Sequence, residues 1–334
     1  MSRYADAGVD VTASDEFTAS IADRVRATWK DSVVGSFGSF AAGVTVPPGY
    51  REPVIMMTTD GVGTKTELAV TLGSYDGIGR DLVAMCVDDL AALAAVPIGF
   101  TDYLAVGALD RARDEAIVAS AAEACEEVGC PLLGGETALH PRVLGPAQFD
   151  IAGAAIGVVE RSRIPDPDRV MPGDVLIGIE SPNVRSNGFS LVRSVFDRDA
   201  LAEPFEDGTL GDALLEPSVL YTPAVLTMVR AVDVHGLVHV TGGGLPGNLP
   251  RVLGDGRGAR IDPAAWPVPE VFRLIAERGG VDESDMFGTF NMGVGFVVIV
   301  EPGLVEEAID AIEGYGHGAW PIGRIVEGDG VTFH

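Results

Sequence analysis

Strand-like runs and helix-like runs alternate along the whole chain, and one proline-rich segment interrupts this alternation near the middle. Residues 164–173 contain three prolines among several charged side chains, a composition typical of a linker. The alternation on both sides predicts two α/β domains, and 334 residues suit two domains of ordinary size. We therefore expect a first domain over residues 1–164, a linker over about 165–172 and a second domain over 173–334.

The chain carries a large excess of negative charge. Asp and Glu number 49 against 23 Lys and Arg, which gives a formal net charge of −26, and only two of the 23 cations are lysines. Such a chain repels itself in dilute buffer, whereas at about 1 M salt the Debye length falls to about 3 Å. The composition therefore predicts adaptation to a salt-rich cytoplasm. It also argues against nucleic-acid binding, because nucleic-acid phosphates attract basic patches.

Membrane and redox chemistry are not indicated either. No apolar run reaches the roughly 18 residues of a membrane span, and the N-terminus lacks the features of a signal peptide. The sequence predicts a cytoplasmic protein with no membrane partner. Cys86, Cys125 and Cys130 lie in apolar surroundings without CxxC spacing, so we expect all three to be core residues.

The segment 58–65, with the sequence TTDGVGTK, combines residue types that hold phosphate and a divalent cation. It is not a P-loop, which needs four residues between its first glycine and the Gly-Lys pair. It is not a dinucleotide fingerprint, because Thr66 stands where a third glycine is needed. Backbone amides, hydroxyls and the Lys65 ammonium nevertheless suit a polyphosphate. The alternative is that one of the two lysines lies here by chance.

Two acids come at the ends of predicted strands. Asp60 follows a strand over residues 54–58, and Glu136 follows a strand over 131–133 through two glycines. Separated carboxylates without convergent histidines suit Mg²⁺, which completes its shell with water and substrate phosphates. The alternative is that both acids only make turns.

A third acid, Asp89, lies on a predicted helix over about residues 79–95. Helical spacing places it on the apolar stripe of Leu82, Cys86 and Leu93, which we expect to face the core. A carboxylate there is costly unless it is paired with cations or a metal. Asp89 therefore joins the metal candidates, unless it caps or pairs internally. Its neighbour Asp88 is interpreted as a solvated surface acid.

The second domain contains two loops that could hold an anion. Residues 181–188 lead from a predicted strand into a helix, and so do residues 239–244, with three consecutive glycines. Glycines allow close approach to the backbone, and amides at a helix start can face an anion. His239 is a candidate for proton transfer, because an unperturbed histidine titrates near pH 6.5. An ordinary loop and a structural histidine are the alternatives.

Taken in order, these motifs resemble the phosphoribosylformylglycinamidine cyclo-ligase family, also called aminoimidazole ribonucleotide synthetases. The similarity extends from Tyr4 to Gly323 and rests on residues 4–10 (YADAGVD), 59–65 (TDGVGTK), 81–90 (DLVAMCVDDL), 134–137 (GGET), 186–193 (SNGFSLVR), 241–244 (TGGG) and 291–295 (NMGVG). It implies ATP-dependent and Mg²⁺-dependent closure of the imidazole ring of formylglycinamidine ribonucleotide. It also implies two α/β (α+β) domains per subunit and a homodimer whose first domains form a shared β-barrel, with ATP close to that interface.

The resemblance assigns roles to individual residues. It implies a metal on Asp60, Asp89 and Glu136, and catalytic roles for Asp60 and the phosphate-facing Lys65, to which we add His239. The implied ATP-binding and anion-binding positions are Gly35, Gly38, Thr59, Asp60, Gly61, Gly63, Thr64, Lys65, Asp89, Glu136, Ser186, Asn187, Gly188, Thr241, Gly242, Gly243 and Gly244. Gly35 and Gly38 belong to a glycine-rich cover too flexible to be a regular element.

Four positions depart from the family pattern. Ala5 stands where lysine is usual, Arg185 replaces a common histidine, Gly247 replaces a usual glutamate, and Leu139-His140 replaces a usual Glu-Met pair. Arg185 cannot act as a base at neutral pH. The alternatives to a cyclo-ligase are another ATP-dependent phosphotransferase of the same superfamily and a nucleotide-binding regulator without turnover.

Overall fold

The chain folds into two compact units. A computed structural model describes residues 11–334, so the predictions for Ala5 and the 4–10 motif fall outside the described residues. The first unit extends to Leu90 and also contains Val96–Val158, and the second contains Ala91–Ala95 and Val159–His334. Two α/β domains are confirmed, while the boundaries at 164 and 173 stay a prediction.

A four-stranded sheet forms the centre of the first unit. Its strand order is β3-β6-β4-β5, with β4 and β5 parallel and β4 and β6 antiparallel. A separate hairpin of β1 and β2 precedes it along the chain. The strands are β1 (Val33–Val34), β2 (Gly43–Val44), β3 (Pro53–Gly61), β4 (Val96–Val106), β5 (Leu132–Leu139) and β6 (Phe149–Glu160).

Helices pack on one face of this sheet. They are α1 (Val11–Ala27), α2 (Lys65–Leu72), α3 (Ile78–Ala91) and α4 (Arg111–Glu127). Helix α1 packs against α4 and β5, and the Trp29 indole donates to the Leu132 carbonyl at 2.7 Å. Leu82 of α3 and Phe100 of β4 meet above Gly153 of β6. Even-numbered residues of β4 therefore point toward the helices.

The opposite face of the sheet is uncovered by the residues that the structure describes. Ile55 and Met57 on β3 are 50% and 73% exposed, and Tyr103 on β4 is 43% exposed. These odd-numbered residues alternate with the partly buried Val54 and Met56, as expected for a sheet with one packed face. The edge strands β3 and β5 each have one neighbour in this sheet.

The second unit contains a six-stranded sheet of order β10-β12-β7-β13-β11-β14, in which only the β11–β14 pair is parallel. Strand β12 is buried at every position. A two-stranded hairpin of β8 and β9 lies outside this sheet. The strands are β7 (Val175–Glu180), β8 (Pro204–Phe205), β9 (Gly208–Thr209), β10 (Gly236–His239), β11 (Arg257–Ile261), β12 (Val294–Val300), β13 (Ala319–Glu327) and β14 (Gly330–Phe333).

Apolar side chains from β7, β10 and β12 form the core of this unit with residues of two helices, α8 and α12. Tyr221 is fully buried in that cluster, and its hydroxyl donates to the Glu180 carbonyl at 2.7 Å. The helices are α5 (Phe189–Val195), α6 (Arg198–Leu201), α7 (Leu210–Leu215), α8 (Thr222–Ala231), α9 (Gly244–Asn248), α10 (Glu270–Gly279), α11 (Glu283–Thr289) and α12 (Val305–Glu313). Over residues 11–334, no helix is both long and apolar enough to cross a membrane.

Candidate functional site

The carboxyl end of β3 carries the first candidate acid. Asp60 lies within β3, so the prediction that it follows the strand is wrong by a few residues. Its Oδ1 accepts a hydrogen bond from the Gly61 amide at 2.7 Å. The neighbouring Thr59 hydroxyl donates to the Gly153 carbonyl of β6 at 2.7 Å. Asp60 is half-buried and shares its face of β3 with Thr58.

Asp89 lies close to this strand end. The Thr58 hydroxyl donates to Asp89 Oδ2 at 3.2 Å, which joins β3 to the last turns of α3. The pKa of the Cys86 thiol is raised well above its usual value. Burial is the main cause, and the negative charges of Asp60 and Asp89 raise it further. The Thr58–Asp89 hydrogen bond therefore brings Asp89 to the face of β3 that also carries Asp60.

Glu136 does not join these two acids within one chain. It lies inside β5, not after a strand as predicted, and its side chain is exposed. Strands β6 and β4 separate β5 from β3, a span of roughly 14 Å at ordinary strand spacing. Glu136 also pairs in register with Tyr103 on the uncovered face, whereas Asp60 faces the helices. Among residues 11–334, no three His, Cys, Asp or Glu side chains are grouped to hold a metal.

Lys65 occupies a different environment from the one expected of a phosphate-facing lysine. Its side chain is fully buried, and Nζ lies 2.6 Å from Oδ2 of Asp81, which is also fully buried. The ammonium therefore faces a carboxylate of α3. Asp81 was not among the predicted site residues, although it shares a helical face with Met85 and Asp88, at spacings of four and seven residues.

Helix α3 is more deeply buried than its sequence suggests. Asp88 is fully buried, so its interpretation as a surface acid is wrong, and Leu93 is 39% exposed and lies beyond the helix end at Ala91. Nearly every residue from Ile78 to Ala91 is buried. A single-stripe interpretation fails for such a helix, because it is packed on several sides.

The loop between β3 and α2 is held by backbone contacts. The Val62 amide donates to the Ile151 carbonyl at 3.4 Å, and the Thr66 amide and hydroxyl both donate to the Gly63 carbonyl, at 3.2 and 2.9 Å. Gly63 has a φ of 66°, and a side chain there would meet no atom within 4 Å. Gly61 is half-buried, and Thr64 is exposed. This loop therefore has a defined shape and an open surface.

Gly35 and Gly38 lie in the turn that connects β1 to β2. Both have positive φ, 121° and 85°, and the Ser36 and Ser39 hydroxyls are 2.8 Å apart within the same turn. The glycine-rich segment is thus a short hairpin outside the four-stranded sheet, which corrects the expectation that no regular element forms there. Its role as a cover remains a prediction.

The two glycine-containing loops of the second unit lie side by side. A side-chain carbon on Gly242 would be 3.3 Å from Oδ1 of Asn187. Gly188 has a φ of 81° and lies against the Phe290 ring. The Ser186 hydroxyl is buried and has no hydrogen-bond partner among residues 11–334. An unsatisfied buried hydroxyl is costly, so this oxygen is available to a ligand.

Asn248 shapes the loop at 241–244. Its side-chain amide donates to the carbonyls of Thr241, Gly242 and Gly244, at 3.2, 3.3 and 2.8 Å. Gly243 has a φ of 94° and Gly244 a φ of 56°, conformations that glycine adopts without strain. A single buried side chain therefore fixes the carbonyls of this loop, and the Gly244 amide donates back to the Thr241 carbonyl at 3.0 Å.

His239 is paired with Arg185 in the interior of the second unit. Arg185 Nη1 lies 2.8 Å from His239 Nε2 and donates to the Gly295 carbonyl at 3.4 Å. Its guanidinium lies 4.7 Å from the centre of the Tyr221 ring. Because a guanidinium can only donate, Nε2 must be the acceptor. That nitrogen is therefore unprotonated and engaged, which argues against the expected proton-transfer role of His239.

Sequence reasoning missed a pair of buried asparagines beside these loops. Asn183 Oδ1 accepts from the Arg185 amide at 3.0 Å, and Asn291 Nδ2 donates to the Asn183 carbonyl at 3.0 Å. Asn291 Oδ1 also accepts from the Gly293 amide at 2.8 Å. The 291–295 motif thus supports the 181–188 loop. The asparagine present in each of these two segments was the feature of the sequence that could have indicated this contact.

A half-buried acid without an assigned role, Asp102, lies on β4. Desolvation raises the pKa of Asp102 from its usual 3.8 to about 7. Its Oδ1 lies directly over Gly135 of β5, where a side-chain carbon would come within 2.2 Å.

The two remaining cysteine thiols are buried like that of Cys86. Burial raises the pKa of Cys125 well above its usual range and that of Cys130 to about 12. All three cysteines are buried and free, so their expected core role is confirmed.

The raised pKa of Asp102 predicts a pH-dependent loss of stability. The folded chain retains a proton that the unfolded chain releases, so stability is full below about pH 4 and falls as pH rises through about 7. Asp102→Asn removes this dependence. As pH rises, the free energy of unfolding of the variant should exceed that of the parent by an amount that grows to at most about 4 kcal/mol. Denaturant unfolding at fixed salt between pH 5 and 8 measures it, with the exposed Asp76→Asn as control. An advantage that does not change with pH would contradict this assignment.

Comparisons with known proteins agree with this architecture. Residues 41–159 match the family described as AIR synthase related protein, N-terminal domain, and residues 171–334 match the corresponding C-terminal domain. Solved structures of similar fold include a thiamine-monophosphate kinase from Stenotrophomonas maltophilia K279a (TM-score 0.73, 21% identity, 94% of this chain and 95% of that chain). Another is a hydrogenase maturation protein HypE in complex with ATP (TM-score 0.69, 22% identity, 96% and 89%). These matches define an AIR synthase related protein.

More similar relatives identify the family within that class. A phosphoribosylformylglycinamidine cyclo-ligase from Sorangium cellulosum is 44% identical over 99% of this chain and 97% of the relative. One from Thermosynechococcus vestitus is 43% identical over 98% and 97%, and one from Paraburkholderia phymatum is 42% identical over 96% and 91%. The chain belongs to the phosphoribosylformylglycinamidine cyclo-ligase family.

Proposed function

We propose that this enzyme closes the imidazole ring of formylglycinamidine ribonucleotide to give 5-aminoimidazole ribonucleotide, with release of ADP and phosphate, in purine biosynthesis. The observation that carries the proposal is the similarity to cyclo-ligases over 99% of the chain. That similarity spans both units. It therefore includes the end of β3 with Asp60 and the loops at 181–188 and 239–244. In this reaction ATP phosphorylates the formyl amide oxygen. A substrate nitrogen then attacks the formyl carbon that bears this oxygen, and phosphate leaves as the ring closes.

The first unit is proposed to bind ATP at the end of β3. Asp60 and Asp89 supply two carboxylates, and the loop of Gly61, Gly63 and Thr64 supplies backbone amides and a hydroxyl. Two carboxylates fit Mg²⁺ that arrives with a nucleotide, since this ion takes its remaining ligands from water and phosphate. When bound, the ion would offset negative charge on the transferred phosphoryl group. Glu136 faces away from this pair within one chain and is left out of the proposed metal site.

The second unit is proposed to hold an anionic group of the substrate. Ser186 offers a buried hydroxyl without a partner among the described residues, and Asn187 adjoins Gly242. Backbone amides of such loops bind anions without a charged side chain. This suits a chain with few cations. The loops orient the substrate, and we assign no proton transfer to His239, because its Nε2 is engaged by Arg185.

The assay that tests this function measures ADP release in buffer at about 1 M KCl, with ATP and Mg²⁺ present. Release should depend on formylglycinamidine ribonucleotide and should yield one ADP per imidazole ring formed. Hydrolysis of ATP that proceeds equally without this substrate, with no ring product, would contradict the proposal. Nucleotide binding without turnover on any acceptor would instead favour a regulator.

A homodimer with a shared barrel is proposed for the uncovered face of the first unit. The exposed Ile55, Met57 and Tyr103 and the two sheet edges support it, because two such sheets can close into a barrel and lose their edges. Sedimentation should give twice the 34.8 kDa chain mass, and Met57→Glu should shift the protein to monomers. Met171→Glu, at a methionine that is 50% exposed in the second unit, is the matched control. Dimers that persist in Met57→Glu would contradict the barrel.

Habitat and location remain proposals of the same kind. The net charge of −26 and the near absence of lysine support a salt-adapted, cytoplasmic enzyme. Screening of repulsion should raise its unfolding temperature as KCl increases from about 0.1 to 1 M. An unfolding temperature that is independent of salt would argue against adaptation.

A further inference from the structure

The buried Lys65–Asp81 pair links two elements that carry the proposed ATP site. Lys65 is the first residue of α2 and directly follows the loop at 61–64. Asp81 lies in the first turn of α3, which carries Asp89 two turns later. Both side chains are fully buried, and the two charges are 2.6 Å apart. The pair therefore joins the phosphate-facing loop to the acidic helix.

Burial decides between two roles for the Lys65 ammonium. To reach a phosphate, it would have to give up its 2.6 Å contact with Asp81 in the interior of the fold, and separating a buried ion pair is unfavourable. The loop itself is already shaped by contacts of Val62 and Thr66 with backbone carbonyls. The Lys65–Asp81 pair adds a direct link from the end of this loop to α3.

We propose that Lys65 and Asp81 are positioning residues. Together they hold the loop at 61–64 at a fixed distance from α3, so that Asp60 and Asp89 serve the same nucleotide, and Lys65 does not contact phosphate. This inference rests on the proposed ATP-dependent function. It replaces the phosphate-facing role expected for Lys65, and it gives Asp81 a role that the sequence motifs did not indicate.

Replacing both Lys65 and Asp81 with uncharged residues distinguishes a positioning role of the pair from a direct contact between Lys65 and phosphate. Lys65→Met alone leaves the Asp81 charge buried and should raise the KM for ATP at least tenfold and lower the unfolding temperature. Adding Asp81→Asn or Asp81→Leu removes that charge but does not restore the link, so the double variant should regain the parent unfolding temperature and a kcat within about threefold of the parent, while its KM for ATP stays raised. A double variant that regains the parent unfolding temperature but still releases ADP at least 100-fold more slowly would overturn the proposal.

A second measurement does not depend on whether the variants fold. The chain has only two lysines, Lys30 and Lys65, so nitrogen-15 labelling of lysine side chains gives two ammonium signals, and Lys30→Arg leaves one. The Lys65 signal should be protected from exchange with water before and after addition of a non-hydrolysable ATP analogue with Mg²⁺. A large shift of this signal on nucleotide binding would overturn the proposal. If the parent fails to release ADP, the proposed function fails, whereas this signal still reports the pair.

Discussion

The Asp60→Asn substitution is expected to lower the rate of substrate-dependent ADP release by about 100-fold to 1,000-fold, while the protein stays folded. Asp60 lies at the end of β3 beside Asp89, and both influence the Cys86 thiol. An amide preserves the shape of the side chain but removes the charge that a magnesium-bound triphosphate needs. The measurement is steady-state ADP release at saturating substrate, with the unfolding temperature determined in parallel.

Asp150 provides a matched control for this prediction. It is an exposed aspartate on β6, and its Oδ1 accepts a hydrogen bond from the next amide, that of Ile151, at 3.0 Å. Asp60 makes the same local contact with Gly61 at 2.7 Å. Asp150→Asn should therefore change ADP release less than twofold. Equal losses in the two variants would show that the effect is structural and not a loss of metal binding.

The Gly244→Ala substitution is expected to destabilise the second unit by about 3 kcal/mol or more. Gly244 has a φ of 56°, and a side-chain carbon there would lie 2.0 Å from the Phe287 carbonyl oxygen and 2.7 Å from that of Phe290. Both obstacles are backbone atoms and cannot rotate away. Denaturant unfolding followed by a second-unit probe measures the loss, and the 241–244 loop should lose its shape with it.

Gly247 in the same short helix is the control for Gly244. It has no positive φ, and a methyl group at this position would meet no atom within 4 Å, so Gly247→Ala should be neutral or stabilising by up to about 1 kcal/mol. Equal unfolding midpoints for the two alanine variants would contradict the packing described here.

Much of the secondary structure followed from local sequence patterns. Alternating strands and helices predicted two α/β domains. Strand β3 and helix α3 lie where the patterns indicated, with shifts of a few residues, and β5 begins where expected but is longer. The shifts have a physical cause. Glycines in the 134–137 motif suggested a loop, yet pairing with β4 keeps this segment extended, so that β5 runs on to Leu139.

The candidate site was harder to predict, because burial and pairing are tertiary properties. The sequence grouped Asp60 and Asp89 as metal candidates, and this grouping stays a prediction. The motifs gave no sign that Asp81 pairs with Lys65 from another helix. Periodicity placed Asp88 at the surface, although α3 is enclosed on several sides. The sequence could not exclude Glu136 from the group of Asp60 and Asp89 either, because a motif predicts neither the order of the strands nor the face of the sheet on which a side chain lies.

The fate of the formyl oxygen shows whether ATP phosphorylates the substrate before the ring closes. Substrate carrying oxygen-18 in its formyl amide is converted with ATP, and the released phosphate is analysed by mass spectrometry. Phosphorylation of that oxygen before ring closure predicts one oxygen-18 atom in each phosphate released. Unlabelled phosphate, with the label released into water, would contradict the account, because the formyl oxygen would then have left without receiving a phosphoryl group.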